Sequence, residues 1–113
     1  MNTTDVNAKI TSTHLGLEGH GIFTAYLQLD TTDGSRSFGG YFLDGYNSNE
    51  CRVGTAWGME FVRRLVATVG KESWETLRGA VCRVRLDGHQ VVAIGHFLED
   101  RWFCPKTDLK HLE

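Results

Sequence analysis

Two arginines and a histidine are the residues best placed for chemistry in this chain. Ala80 to Leu86 reads as a strand in which Arg83 and Arg85 alternate onto one face, and Val91 to Leu98 reads as its antiparallel partner, which sets His96 opposite them. Guanidinium groups grip phosphate through a fork of N–H donors and an imidazole adds another donor, so the three suit a nucleotide held by its phosphates. A flat base needs an aromatic surface as well. Phe38 and Tyr41 flank Gly39 and Gly40 in RSFGGYFLD, where the bare backbone lets something flat approach, and Trp57 stands near a helix start where pockets open. The expected ligand-binding set is Phe38, Gly39, Tyr41, Trp57, Arg83, Arg85 and His96.

Each of these residues also has a plainer reading. Interior glycine in a strand marks a bulge or a close crossing against a helix. Trp57 and Phe61 are one helical turn apart, a spacing usual for core aromatics. Arg52 lies just before the helix start, where a phosphate would settle, but polar loops beside helix starts are mostly structural. Arg63 and Arg64 fall on the polar side of the helix and read as solvated or paired with acidic residues.

Signatures of catalysis are missing. His14 and His20 can approach each other across a turn with Glu18 between them, yet there is no HxxxH or HExxH pattern, no GxSxG and no phosphate-loop motif. The chain reads as a non-enzyme that needs no metal and no cofactor. Cys51, Cys82 and Cys104 are odd in number and widely spaced, with no CxxC pair, and read as reduced thiols.

The elements that must position these residues follow from periodicity. Ala8 to Glu18 is strand-like, Glu18 to Gly21 a turn, and Ile22 to Asp30 a strand with Phe23, Ala25, Leu27 and Leu29 toward the core. Thr31 to Ser35 is a hairpin loop, Arg36 to Asp44 its return strand, and Gly45 to Val53 a polar loop. In Gly54 to Gly70, Phe61, Val62, Leu65, Val66 and Val69 form one apolar stripe, Thr55 caps the start and Gly70 ends the helix. A short helix opens at Ser73 and stops at Gly79.

With Asp87-Gly88 as the loop of the last hairpin, one face carries Cys82, Val84, Leu86, Val91, Ala93 and Phe97, and the other Val81, Arg83, Arg85, Val92, Ile94 and His96. The second face is too apolar for water and calls for a cover: another subunit, a ligand or the C-terminal segment. The expected fold is α+β, an antiparallel β-sheet wrapped around one main helix and one short helix. It forms a single domain over residues 1–113, frayed over 1–7 and 107–113.

A net charge of −2 with interspersed signs gives no case for an extended nucleic acid or a membrane surface, so a polyanionic ligand must be held by a local pocket. No signal segment and no long apolar run is present, which predicts a protein that neither is secreted nor spans a membrane.

ITSTHLGLEGHGIFTAYLQLD, then FGGYFLD, GTAWGMEFVRRLVATVG, SWETLRG, and VCRVRL with AIGHFLEDRWF resemble, in order and pattern from Ile10 to Phe103, small phage-encoded proteins of the Thoeris anti-defence sponge type. The resemblance implies a sheet around two helices, dimers or higher oligomers, and tight capture, without turnover, of cyclic ADP-ribose isomers made by bacterial TIR-domain immune proteins. It also implies residence in the cytoplasm of the infected bacterial host. Some members hold cyclic oligonucleotides at separate sites. The alternative from another class is a small phage inhibitor that blocks a host defence complex by protein–protein contact. Its acidic mimicry patch is absent here, because the 14 acidic residues are scattered.

Overall fold

The computed structural model describes residues 2–113. Three long antiparallel strands come first: β1 (Thr3–Glu18), β2 (Ile22–Thr31) and β3 (Gly34–Phe42). A small hairpin of β4 (Asp44–Tyr46) and β5 (Arg52–Gly54) leads into α1 (Ala56–Val69) and a 3-10 turn at Trp74–Thr76. Then come β6 (Val81–Asp87), β7 (Gln90–Gly95), the two-residue β8 (Trp102–Phe103), the one-turn α2 (Pro105–Asp108) and a closing 3-10 turn at Lys110–Leu112. The fold is α+β, a six-stranded antiparallel sheet in the order β3-β2-β1-β6-β7-β8 with one main helix and a short second one.

β1 organises the sheet. Its first half, Thr3 to Lys9, pairs with β6, its second half, Ala8 to Glu18, pairs with β2, and an irregularity between Ile10 and Ser12 turns the strand from one partner to the other. The sheet coils far enough that β3 comes against β7. Strands β1, β2, β3, β6 and β7 thus make a partly open Greek-key barrel with the helix inserted after the third strand, the connectivity of the OB-fold.

The helix is built as its sequence predicts. The Thr55 hydroxyl accepts the Gly58 N–H at 2.9 Å, and Gly70, in the left-handed region at φ 89°, closes the last turn. Phe61, Leu65 and Val69 are buried, and Val62 and Val66 pack partly against the same apolar cluster as Ile10, Leu27, Leu29, Phe38, Leu77, Val84 and Phe103. Cys82 lies within this cluster, and burial pushes its thiol up to about 12. All three cysteines are free thiols.

Several expectations are corrected. Residues 3–7 are strand, held by Val6 opposite Val84, and the C-terminal segment folds back through Leu109, which is fully buried. The stretch from 45 to 53 holds the short β4–β5 pairing, fixed where Arg52 Nε donates to Asp44 Oδ2 at 3.0 Å. In the last hairpin Asp87 pairs with Gln90, so Gly88 and His89 form the loop. Val92 is then an extra residue between Val91, opposite Leu86, and Ala93, opposite Arg85, and the alternation of β7 inverts past it. Ile94 consequently faces the core and is fully buried, while Ala93 moves to the arginine face.

Candidate functional site

The expected site residues form separate groups and not one pocket: the aromatic rings meet around Phe61, and the arginines meet under Trp102. Phe38 is buried and stacks on Phe61 with ring centroids 5.9 Å apart, beneath α1. Tyr41 meets both Trp57 and Phe61 edge-on at 5.3 Å, and Trp57 lies flat against Phe61 at 5.7 Å. Burial holds the Tyr41 phenol above its ordinary value. These rings form the aromatic end of the core. Only the outer edges of Tyr41 and Trp57 reach the surface, in a cleft of about 470 Å³ shared with Phe42, Asp44 and Leu112.

Gly39 has a structural role. At φ 108°, with an added Cβ 2.6 Å from the Ala25 carbonyl oxygen, only glycine fits at this point of the β2–β3 pairing. Gly40, at φ 82°, is the extra residue of a bulge between the Ala25–Tyr41 and Tyr26–Gly39 pairs, and its outer side faces open space.

Arg83, Arg85 and His96 are occupied by the chain itself. Arg83 Nε donates to the His96 carbonyl at 2.8 Å and Nη2 to the Glu99 carbonyl at 2.7 Å. Arg85 donates through Nε and Nη2 to the two carboxylate oxygens of Asp5, at 2.8 and 3.2 Å, and its guanidinium holds that carboxyl below the usual range. Trp102 covers both, with ring centroid 4.9 Å from the Arg83 guanidinium and 4.2 Å from that of Arg85. The ring fits because Gly95 beneath it has no Cβ, which would come within 2.7 Å. His96 does not share the face of the two arginines: past the Val92 bulge it follows Ile94 to the other side of the sheet, its Nε2 lies beside Gly70 at the end of α1, and its Nδ1 accepts the N–H groups of Leu98 and Glu99 at 3.1 and 2.9 Å. The C-terminal segment is therefore the cover of this face, on the side of the sheet opposite α1.

A different surface is open, the outer face of β1, β2 and β3. Pairing sets His14 opposite Tyr26, Glu18 opposite Ile22, and Phe42 opposite Thr24. The His14 and Tyr26 rings stack at 5.0 Å with planes 22° apart. The Tyr26 hydroxyl donates to Glu18 Oε1 at 3.3 Å, and desolvation, followed by the charge of Glu18, holds the phenol above its ordinary value. His14 Nε2 stands 3.9 Å from the same oxygen and has no hydrogen-bond partner. Phe42 is 63% exposed. Together Glu18, His20, Ile22, Tyr26, Gly40 and Phe42 line a shallow cleft of about 380 Å³.

The sequence carried part of this signal. The glycine pair and the Glu18–His20 turn stood out in it, but Phe42 and Tyr26 join them only once the β2–β3 register and its bulge are known. Among the described residues no group of three His, Cys, Asp or Glu side chains is placed to share a metal ion, and no helix is long and apolar enough to cross a membrane. No protein-family model, curated protein or solved structure matches the chain.

Proposed function

We propose that this protein is a non-catalytic binding module that captures a small ligand carrying a flat heteroaromatic base on the outer face of β1–β3, and that the ligand is a cyclic ADP-ribose isomer. The observation that carries the reading is the exposed ring of Phe42 beside the bare backbone of Gly40 and the stacked Tyr26–His14 pair. Base–aromatic stacking contributes about 1–3 kcal/mol per base and tolerates any base, because every base has a π-face. Barrels of this connectivity use the β2–β3 face for oligonucleotides and oligosaccharides, an analogy of fold that adds support without fixing the ligand.

Two features favour a small ligand over a nucleic-acid strand. No Lys or Arg lines the aromatic cleft, and strand binding relies on cations along the backbone. Glu18 lies at its edge, where it offers acceptors to the exocyclic amine of a base, so the pyrophosphate of the ligand would sit outside the cleft, in solvent. The resemblance from Ile10 to Phe103 supplies the rest of the reading: a phage sponge that sequesters an immune signal in the cytoplasm of the infected bacterium, without converting it.

Calorimetric titration with a cyclic ADP-ribose isomer, followed by heat release and analysis of the ligand, tests the reading. Wild type should take up the ligand and return it intact, and Phe42→Ala and Tyr26→Ala should each bind it roughly tenfold or more weakly. Absence of uptake would overturn capture, and release of an altered ligand would overturn the non-enzymatic reading.

Protein–protein inhibition is the second reading, and one observation favours it: Leu15, Leu17, Phe23, Val53 and Met59 are apolar and exposed around one end of the molecule. The same end is where we place contacts between subunits of a homo-oligomer.

A further inference from the structure

At the opposite end of β3 the barrel mouth holds an arginine with no partner for its best donor edge. Arg36 lies opposite Leu29, on the inward side of β3, at the place where the sheet coils around to the β6–β7 turn. Its Nη1 donates to the Ser35 carbonyl at 3.0 Å, while its Nε is buried and has no acceptor. No carboxylate comes within ion-pair distance of it among the described residues. Arg52, Arg63, Arg64, Arg85 and Arg101, by contrast, all pair with acidic side chains.

Two clefts meet at this guanidinium. One, of about 380 Å³, adds Ser35, His89 and Gln90, and the other, of about 510 Å³, adds Thr4 and again His89. Asp33 lies on the rim of the second cleft and forms no ion pair with Arg36.

We propose that this mouth is an oxyanion site that takes a phosphate group. With Nη1 engaged by Ser35, the Nε–Nη2 edge is the one that presents two parallel N–H donors, the geometry that binds two oxygens of one phosphate or carboxylate. A buried N–H without an acceptor is costly, and an anion on this edge removes the cost. Phosphate suits the place better than carboxylate, because hydroxyl, amide and imidazole groups stand on both sides of the guanidinium and a phosphate has a third oxygen for them. The site shares no residue with the aromatic cleft, so either can fail while the other stands.

The test is a nuclear magnetic resonance titration of the full chain with inorganic phosphate at constant ionic strength, with sodium chloride as the control. The Arg36 Nε–H and the amides of Ser35 and His89 should shift saturably with phosphate and not with chloride. Arg36→Lys keeps the charge and loses the fork, and should weaken binding roughly tenfold or more. His89→Ala, in the exposed turn where it does not threaten folding, should weaken it severalfold. Adenosine monophosphate against inorganic phosphate, read at the Arg36 and His89 signals, distinguishes the source: tighter binding of the monophosphate means that the site reads a nucleotide's phosphate, and equal binding means that it reads the free ion. No saturable shift, the same shift with chloride, or wild-type affinity in both variants would overturn the site.

Discussion

Gly39 and Gly40 are adjacent, both have positive φ, and they do different jobs. A methyl group at Gly40 meets nothing within 4 Å, so Gly40→Ala should cost only the backbone term of about 1–2 kcal/mol. The same group at Gly39 would press on the Ala25 carbonyl and Tyr26 Cα, both backbone and unable to move alone, so Gly39→Ala should destabilise by a clearly larger amount. Denaturant unfolding of the pair checks the order, and equal losses would mean that the bulge in the β2–β3 pairing is wrongly placed. Phe61 gives a second measurement at this scale. It is fully buried and touches the rings of Phe38, Tyr41, Trp57 and Phe103, so Phe61→Ala should cost about 3–5 kcal/mol, and an unchanged melting temperature would contradict the core described above. The helix stripe that marks Phe61 was readable from spacing alone. The use of Arg83 and Arg85 was not, because their partners Asp5 and Trp102 lie far away in sequence and no local pattern announces them.

At the scale of elements, hairpins and helix were legible and register was not. Period-two alternation locates β2, β3, β6 and β7, but one extra residue inverts a strand, and Val92 does this in β7 with no glycine or proline to signal it. The aromatic cleft stayed hidden for the same reason, since it depends on the bulge at Gly40 that sets Tyr26 and Phe42 on one face. The β4–β5 hairpin was missed because its strands have three residues each and are fastened by a side-chain pair. That pair makes an acid-sensitive fastening. Hydrogen bonds from Arg52 lower the Asp44 carboxyl below its ordinary value of 3.8, burial opposes the shift, and the Phe23 N–H at 3.1 Å adds to it. A depressed carboxylate stabilises above its unfolded value, and this contribution is lost as pH falls through the folded one. Wild type and Asp44→Asn should therefore differ in unfolding free energy near neutral pH and converge in acid below 3.8. A difference constant across that range would show that the pair does not hold the hairpin.

For the whole molecule, the length of β1 has the largest consequence. Its 16 residues at about 3.3 Å each reach roughly 53 Å along the curved strand, enough to run the whole 46 Å long axis, whereas the core occupies only part of that length. The far end of the β1–β2 hairpin therefore outruns its cover. Ala25, Leu27 and Leu29 are buried as alternation predicts, but Phe23, on the same face, is 37% exposed, with Leu15 at 38% and Leu17 at 68%. Across an apolar cleft of about 190 Å³ stand Met59, exposed to 69%, and Val62 of α1. Apolar surface concentrated in this way is more often an interface than a solvated face. The Val81/Val92/Ile94 face needs no second subunit as its cover, since Ile94 is buried and the C-terminal segment lies over the arginines beside it, which leaves Val81 48% exposed. A two-fold contact between hairpin ends would bury the patch of each subunit on that of the other. Wild type should then sediment above the 12.7 kDa of one chain at micromolar concentration, and Leu17→Lys with Met59→Glu should return it to the monomer. Both positions are surface sites, so folding stability measured below the dissociation concentration should change by no more than about 0.5 kcal/mol per site. A monomeric wild type would reject self-association through this end and leave the patch to a different protein, and an oligomer unaffected by the double substitution would move the contact to another face.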